Sequence, residues 1–378
     1  MVTHLSTLKQ IYFNQQWVDC NALILATGHS ASDTILMLHQ HGIHVENKPF
    51  AVGVRIEHKQ NYINEAMLHE YSQDERLIPA RYQLTYTASN SKGVYTFCMC
   101  PGGYVIPSSC QKDQLVVNGM SYASRSGENA NSALLVQIND SDYGNELFAG
   151  LKYQEDLEKK AFKMGGDYKA CVQLAKDYLE NKISNQFESV LPTYSIGTTF
   201  CDLNDLFSKE VNLALHEALE HFEKKVPGFV SGGAILSAVE SRSSSSVRLV
   251  RDKESYVSNI QGIYPSGEGS GYAGGIMTSA IDGIRSAEHL IEYFAPNYYV
   301  QSFKTLNIQK LHEMGIQLLL CDIDNTLVAY DEECPNQDVI DFINKLKMNG
   351  IEVALCSNSP SSRGKNFGKH LPVSNTYP

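Results

Sequence analysis

The chain has no cluster of lysine and arginine, no apolar run long enough to cross a bilayer, and no regular spacing of cysteines. Each lack excludes a class of function. The net charge is −11, from 31 basic and 42 acidic residues, and an acidic surface without a basic patch opposes nucleic acid and anionic membranes. The longest apolar runs, such as "ALILAT" and "IQLLLC", are strand-sized, whereas a helical span needs about 20 residues. Residues 1–20 are polar and alternating, unlike a secretory leader. The nine cysteines are odd in number and scattered, which excludes a disulfide framework and points to reduced thiols in a cytoplasm. Only Cys98 and Cys100 lie close together, and one intervening residue is too few for a zinc knuckle. No internal repeat is visible.

What is present has the composition of a soluble globular protein, with 378 residues, 43% hydrophobic and 19% charged, enough for two or three domains. A buried strand is expected at Ala22–Ala26, followed by a Thr27-Gly28 turn and a helix capped by Ser30 or Ser32. From Lys48 to about Gly150 the chain is strand-rich, with "FAVGVRIEH", "YQLTYTA", "GVYTFCMCPGGYVI" and "ALLVQI" separated by Gly, Asn and Ser. Residues 153–225 read as helical, most clearly in "DYKACVQLAKDYLEN" and "LNDLFSKEVNLALHEALEHFEKKV". Strand-like "AILSAVESRSSSSVRLVRD" leads to a short strand at Gln261–Tyr264 and a helix over Tyr272–Tyr293. After a linker at 296–300 the pattern becomes helix 306–314, strand 316–321, helix 337–348 and strand 351–356, an α/β alternation.

Two stretches carry chemistry. Gly269-Ser-Gly271-Tyr-Ala-Gly274 reads as G-x-G-x-x-G, but "FAPNYYVQSF" follows the helix where a βαβ unit needs a buried strand. The fingerprint therefore does not begin a dinucleotide-binding unit. Its glycines still leave backbone N–H groups and a helix N-terminus open to a ligand. In the second stretch, the strand "IQLLLC" delivers Asp322 and Asp324 at its end. Two carboxylates on one strand face repel unless a divalent cation lies between them. That arrangement suits Mg²⁺-assisted phosphoryl transfer, with Asp322 attacking phosphorus and Asp324 handling the leaving-group proton. The following strand "IEVALC" ends at Ser357, with Asn358 beside it, placed to bond a phosphate oxygen.

The ordered segments "LATGHSASDT", "KPFAVGVRIEH", "GVYTFCMCPGGYV", "NGMSYASRSGENANSALLV" and "YPSGEGSGYAGGIMTSAIDGI" resemble the FAD-dependent dehydrogenases labelled NAD(FAD)-utilising, over about residues 8–290. That resemblance implies the C-terminal part of a two-part FAD-binding α/β fold, in which residues 1–44 and 228–294 form the FAD domain and 45–227 an inserted β-rich and helical substrate domain. It places Thr27 and Gly28 beside the adenosine half and Glu268, between Gly267 and Gly269, on a ribityl hydroxyl. The N–H groups of Tyr272, Ala273, Gly274, Gly275 and Ile276 would face the pyrophosphate or the flavin. Cys98 and Cys100 are candidates for a redox pair, with the two thiols expected on opposite strand faces. Arg55 with His58, and the pair Glu240/Arg242, are candidates for an anionic substrate, with solvated surface charge as the alternative. Arg125, Glu128, Asn129 and Asn131 form an unusually polar cluster. Only 21 residues precede Ala22, so the family's first phosphate loop is expected to be missing and FAD to be held weakly or not at all.

The D-x-D-x-T-L pattern at Asp322 resembles the first motif of the haloacid dehalogenase superfamily. Only about two dozen residues separate Leu327 from Ile351, which leaves no room for a cap and points to the capless IIIA group that includes phosphatidylglycerophosphate phosphatases. Residues 297–378 are expected to form an incomplete HAD-like Rossmannoid domain, with Mg²⁺ held by Asp322 and Asp324. The family's lysine and later acidic motif do not appear before Pro378, so loose Mg²⁺ binding and negligible turnover are expected. The expectation is thus an FAD-dependent oxidoreductase of unknown small-molecule substrate joined to a HAD phosphatase domain. The alternatives are phosphatase activity as the main function, or a non-catalytic remnant of both.

Overall fold

The segment Phe50–Lys59 is apolar almost throughout until Arg55, Glu57 and Lys59 interrupt it on alternate positions, the pattern of a strand buried on both faces but polar on one. In the computed structural model, which describes residues 2–4, 7–74, 76–294, 299–329, 331–356, 366–369, 371–373 and 375–377, this strand is the centre of a seven-stranded sheet. Across the sheet the strands run Thr198–Phe200, Ala170–Leu174, Ile235–Glu240, Phe50–Lys59, Asn129–Ile138, Gly93–Cys100 and Thr85–Thr87. All neighbours pair antiparallel except Ala170–Leu174 with Thr198–Phe200, which is parallel.

One face of this sheet is apolar. Val52, Val54 and Ile56 with Leu134, Val136 and Ile138 join a core completed by Leu157 and Ala161 of the helix Ala149–Gly165 and by Val211, Leu215, Leu219 and Phe222 of the helix Lys209–Lys225. Ser208 caps the second helix, its Oγ accepting from Val211 N at 3.3 Å, and Lys224 and Lys225 stand in its last turn, where the helix dipole favours cations. The opposite face carries a small apolar patch, Ala51, Ala133 and Leu135 against Tyr95 and Phe97. Beside it the buried polar residues Arg55 and Asn131 lie under the hairpin Gly103–Pro107 with Val117–Ser121, and buried Glu57 shares their face.

The expectation of a helix through "DYKACVQLAKDYLEN" is corrected. Ala170–Leu174 is a strand with all five residues buried, and only Ala175–Leu179 is helical. A strand enclosed on both faces shows no period of two, so its apolar residues mimic helical spacing. Buried Gln173 is satisfied by donating to Lys182 O at 2.7 Å and accepting from Leu203 N at 2.8 Å. The first helix, Ser32–Gln40, is also not capped by a serine: Ala31 occupies the cap, and the hydroxyl of Ser30 accepts from Cys110 Sγ at 3.1 Å.

The chain divides into two compact units, residues 1–293 and 294–378. Within the first, distant segments share a second core. Leu23–Leu25 pairs parallel with Ile263–Pro265, Val45–Asn47 pairs antiparallel with Val247–Leu249, and Leu8, Leu25, Ile35 and Leu38 pack with Val247, Leu249 and Ile263. In the second unit, Leu318–Asp322 pairs parallel with Glu352–Cys356, which pairs parallel with Asn375–Tyr377. The helix Gln337–Met348, capped by Asn336, packs Val339, Phe342, Ile343 and Leu346 into that unit's core. Of the linker expected at 296–300, residues 296–298 lie outside the described residues.

His58, on the apolar face, donates from Nε2 to Phe229 O at 2.7 Å, and among the described residues its Nδ1 meets no hydrogen-bond partner. Burial lowers its pKa from 6.5 to about 4. Between those values the unfolded chain takes up a proton that the folded one refuses, so folding carries no penalty from this group above pH 6.5 and an increasing one as pH falls to 4. The full penalty is about 3 kcal/mol. Urea unfolding of wild type and His58→Gln at pH 7 and pH 4.5 is expected to show a markedly shallower acid loss in the variant; parallel losses would contradict this assignment.

Candidate functional site

Two glycine-containing turns meet at the ends of the parallel pair Leu23–Leu25 and Ile263–Pro265. Leu25 O accepts from Ser266 N at 2.9 Å and from Ser270 Oγ at 3.1 Å. A Cβ at Gly269 would lie 2.0 Å from Gly28 O, so the two backbones touch and only glycine fits there. Side by side on these turns, His29 Nδ1 and Glu268 Oε1 are 3.0 Å apart. Thr27 is exposed and Glu268 half-buried, and over Gly28 and Gly274 a Cβ would meet nothing within 4 Å, so this rim is open.

The helix after the turn begins at Ile276, not at Tyr272 as expected from its spacing. Tyr272 N donates to Gly267 O at 3.0 Å, and its hydroxyl donates to Leu249 O and accepts from Arg251 N, both at 3.0 Å. Arg251 stacks on the Tyr272 ring at 3.7 Å and pairs with Asp282 at 2.6 Å, while Asp282 also accepts from Gly267 N at 2.8 Å. The amides of Tyr272 and Gly267 are therefore consumed in holding the turn, and buried Ala273 packs beneath it. Gly274 N points to Thr278 Oγ1 at 3.4 Å, and Gly275 O receives Ser279 N at 2.9 Å as the helix opens. Ile276, 88% exposed, starts a helix end that remains available to a negative group.

The polar face of the sheet approaches the same turn, since a Cβ at Gly275 would lie 3.9 Å from the tip of the Phe97 ring. Next to Phe97 the strand bulges: Asn131 pairs with Cys100 and Ala133 with Phe97, and Cys98 takes a left-handed φ of 46°. The two thiols differ in surroundings: Cys98 is exposed, while Cys100 is buried and its Sγ donates to Cys98 O at 3.3 Å. Hydrogen bonding from Cys100, with help from Arg55, lowers the pKa of Cys98 to about 6, and the same bond raises that of Cys100.

Arg55 has no exposed surface, which overturns its reading as solvated charge. It donates to Glu240 Oε2 at 3.1 Å, Asn131 Oδ1 at 2.6 Å, Cys98 O at 3.0 Å and Cys100 Sγ at 3.6 Å. Burial pushes the Glu240 carboxyl up and Arg55 pulls it back. Because an arginine does not give up its proton, the pair stays ionised. Glu240 and Arg242 are not a pair. Arg242 instead binds buried Glu158 through Nε and Nη2, both at 2.8 Å, and Ser241 Oγ donates to Glu158 at 2.6 Å. Neither arginine is free for a substrate anion, and His58 belongs to the core.

Of the polar cluster, Asn131 serves Arg55, and Asn129 donates to Glu57 Oε2 at 3.1 Å, where Thr193 Oγ1 also donates at 2.6 Å. Glu128 pairs with Lys59 at 3.0 Å and Arg125 is exposed. Sequence reasoning missed Glu57, His29 and Asp282. Glu57 was the most findable, because it shares a strand face with Arg55 at a spacing of two.

In the second unit Asp322 ends its strand and is exposed, its Oδ2 accepting from Thr326 Oγ1 at 3.2 Å. The chain then curls tightly: Asn325 has φ 61°, its N–H donates to Val328 O at 2.7 Å, and Asp324 bridges Val328. Half-buried Asp324 thus stands one turn past Asp322. Ser357, Asn358 and Lys365 lie outside the described residues, and Lys369 donates to Asn366 Oδ1 at 3.1 Å. Among the described residues no group of three or more His, Cys, Asp or Glu gathers to hold a metal ion. No helix among the described residues is long and apolar enough to cross a membrane.

An α/β sheet domain tied to glycine turns, followed by a unit with paired aspartates at a strand end, defines a two-module protein. Residues 49–243, just over half of the chain, match the family described as FAD-dependent protein, C-terminal domain-like, and the chain belongs to that family. Residues 319–377 match the haloacid dehalogenase-like hydrolases. An uncharacterized protein of Clostridium beijerinckii is 43% identical over 290 residues, covering 76% of this chain and 54% of the relative. The probable phosphatase YqeG of Bacillus subtilis is 30% identical over 88 residues, covering 23% of this chain and 51% of the relative. The chain spans about half the length of each of these curated relatives. The two resemblances seen in the motifs are therefore shown.

Alkylation by iodoacetamide, mapped by mass spectrometry, is expected to have a midpoint near pH 6 at Cys98, against about 8.5 for an ordinary thiol. Cys100→Ala removes the donor altogether and is expected to move that midpoint upward. A midpoint at the ordinary value in the wild type would refute the assignment.

Proposed function

We propose that the first unit is the FAD-proximal part of an oxidoreductase acting on a small molecule. In this reading residues 1–44 and 228–294 group around the cofactor and 45–227 form the substrate-side insertion. The observation that carries it is the meeting of the Thr27-Gly28 turn, Glu268, the open helix end at Ile276 and the Phe97 face within a chain of the FAD-dependent family. The fit rests on backbone: Gly269 admits nothing larger, while the space over Gly28 and Gly274 is free.

Thr27 and Gly28 would hold the adenosine side, and Glu268, oriented by His29, a ribityl hydroxyl. The N–H groups from Gly275 onward, with the helix dipole, would favour negative charge. FAD would supply a two-electron carrier there. The chain's own contribution is to orient it, to close one side with Phe97, and to set a fixed positive charge, Arg55, behind the sheet face. Free cysteines throughout the described residues agree with a reducing, cytoplasmic setting. Titrating the chain with FAD up to millimolar concentration is expected to reveal binding that Glu268→Ala weakens by about 10-fold or more, the worth of one charge-assisted hydrogen bond. Equal affinities, or no binding by either protein, would count against the reading.

The second unit supports a second activity, Mg²⁺-dependent hydrolysis of a phosphomonoester, because Asp322 and Asp324 stand at the end of a parallel strand in a haloacid dehalogenase-like domain. The name of the YqeG relative, probable phosphatase, agrees with this. Asp322 would attack phosphorus, forming an aspartyl phosphate, and Asp324 would give its proton to the leaving oxygen. Mg²⁺ held by both carboxylates would offset the gathered negative charge. Phosphate release from a small phosphomonoester with Mg²⁺ is expected to fall on the order of 10²-fold or more in Asp322→Asn. Equal rates in the two proteins would exclude this site.

A further inference from the structure

The sulfurs of Cys98 and Cys100 remain without a role in either reading. On a flat strand, residues two apart stand about 6.7 Å apart at Cα, the far edge of the range a disulfide spans. Here the strand is not flat. It bulges where Cys98 takes its left-handed φ of 46°, and the backbone folds so that the Cys100 thiol donates to Cys98 O at 3.3 Å. A non-glycine residue held there is strained and persists only where its surroundings fix it. What fixes it is buried Arg55, which donates to Cys98 O at 3.0 Å and Cys100 Sγ at 3.6 Å while Glu240 and Asn131 hold the guanidinium in place. The pair is also asymmetric, one thiol exposed and the other buried.

The same unit contains a contrasting pair. Cys171 and Cys201 are both buried, and their thiols donate to Ala161 O at 3.4 Å and Met164 O at 3.3 Å. Those are packing thiols. An exposed thiol, a buried thiol two residues on across a bulge and a fixed guanidinium bonded to both residues have the form of an attacking and a resolving sulfur.

We propose that Cys98 and Cys100 are a redox-active dithiol that reduces small disulfides by thiol–disulfide exchange. The Cys98 thiolate attacks one sulfur of the substrate, forming a mixed disulfide and expelling the other half as a thiolate, which takes up a proton. Cys100 then loses its proton and attacks Cys98 Sγ, closing a Cys98–Cys100 disulfide and releasing the second half as a thiol. Two protein thiols are oxidised by two electrons and one substrate disulfide is reduced to two thiols. A second dithiol, oxidised in turn, restores the pair. The proposal goes beyond the flavin reading and does not depend on it.

The test uses the full chain carrying Cys110→Ser, because Cys110 shares the tryptic peptide with the pair. The reduced protein is desalted, mixed with glutathione disulfide, quenched with acid and mapped without reduction. The expected result is two glutathione thiols released per chain and a loss of two hydrogens confined to the Cys98–Cys100 peptide, with Cys171 and Cys201 still reduced. Adding Cys100→Ser should halt the reaction at a mixed disulfide on Cys98, and adding Cys98→Ser should abolish release. A wild-type pair that stops at the mixed disulfide, or a Cys98 no faster than exposed Cys334, would overturn the proposal. Both of those outcomes are read without any variant of the pair itself.

Discussion

A guanidinium with no solvent contact sits in the middle of a seven-stranded sheet, and the arrangement around it follows from the need to keep it satisfied. Arg55 projects from the central strand; Glu240 comes from the strand on one side, Asn131 from the strand on the other, and the Cys98 carbonyl from the strand beyond. The hairpin strand Val117–Ser121 closes over it at Gly119, where a Cβ would lie 2.0 Å from Arg55 Nη2. Removing one member of such a buried pair typically costs about 3–5 kcal/mol, because the remaining charge is left without an equal partner. A slip of one residue in any of these strands would turn its polar group to the apolar face. The cluster therefore fixes register across the sheet, and the bulge at Cys98 is where the backbone bends to complete it.

How much of this was legible in the sequence depended on whether the cause was local. The strands Phe50–Lys59 and Asn129–Ile138 and the helix Gln337–Met348 follow from apolar runs and spacing contained in a few turns of chain. Ala170–Leu174 failed because its strand character comes from the neighbours that enclose it. The start of the helix at Ile276 failed because the amide of Tyr272 is captured by Gly267. At the candidate sites, Thr27, Glu268, Asp322 and Asp324 announce themselves through the turns and strand ends that carry them. The partners Arg55–Glu240, Arg242–Glu158 and His29–Glu268 are separated by long stretches of chain, and nothing local distinguishes a buried pair from surface charge.

The two units place their candidate residues by the same rule. In each, a parallel pair of strands ends and the chain turns at once, leaving polar groups beyond the carboxyl edge, where α/β sheets commonly bind ligands. Leu23–Leu25 and Ile263–Pro265 lead to Thr27 and Glu268; Leu318–Asp322 leads to Asp322 and Asp324. The turns differ in what they offer. The first offers glycine backbone and a single carboxylate balanced by histidine, while the second offers two carboxylates on a tight curl.

The contact between Leu23–Leu25 and Ile263–Pro265 joins segments about 240 residues apart with a ladder only three residues long. Closing a flexible loop of that length costs on the order of 5 kcal/mol of chain entropy, more than three ladder positions return. The ladder is therefore a late event in folding, formed after the large sheet has already gathered the intervening chain and brought its ends near. What holds it once formed is the core around it, Leu8, Leu25, Ile35 and Leu38 against Val247, Leu249 and Ile263, so the glycine turns depend on packing gathered from both ends of the unit.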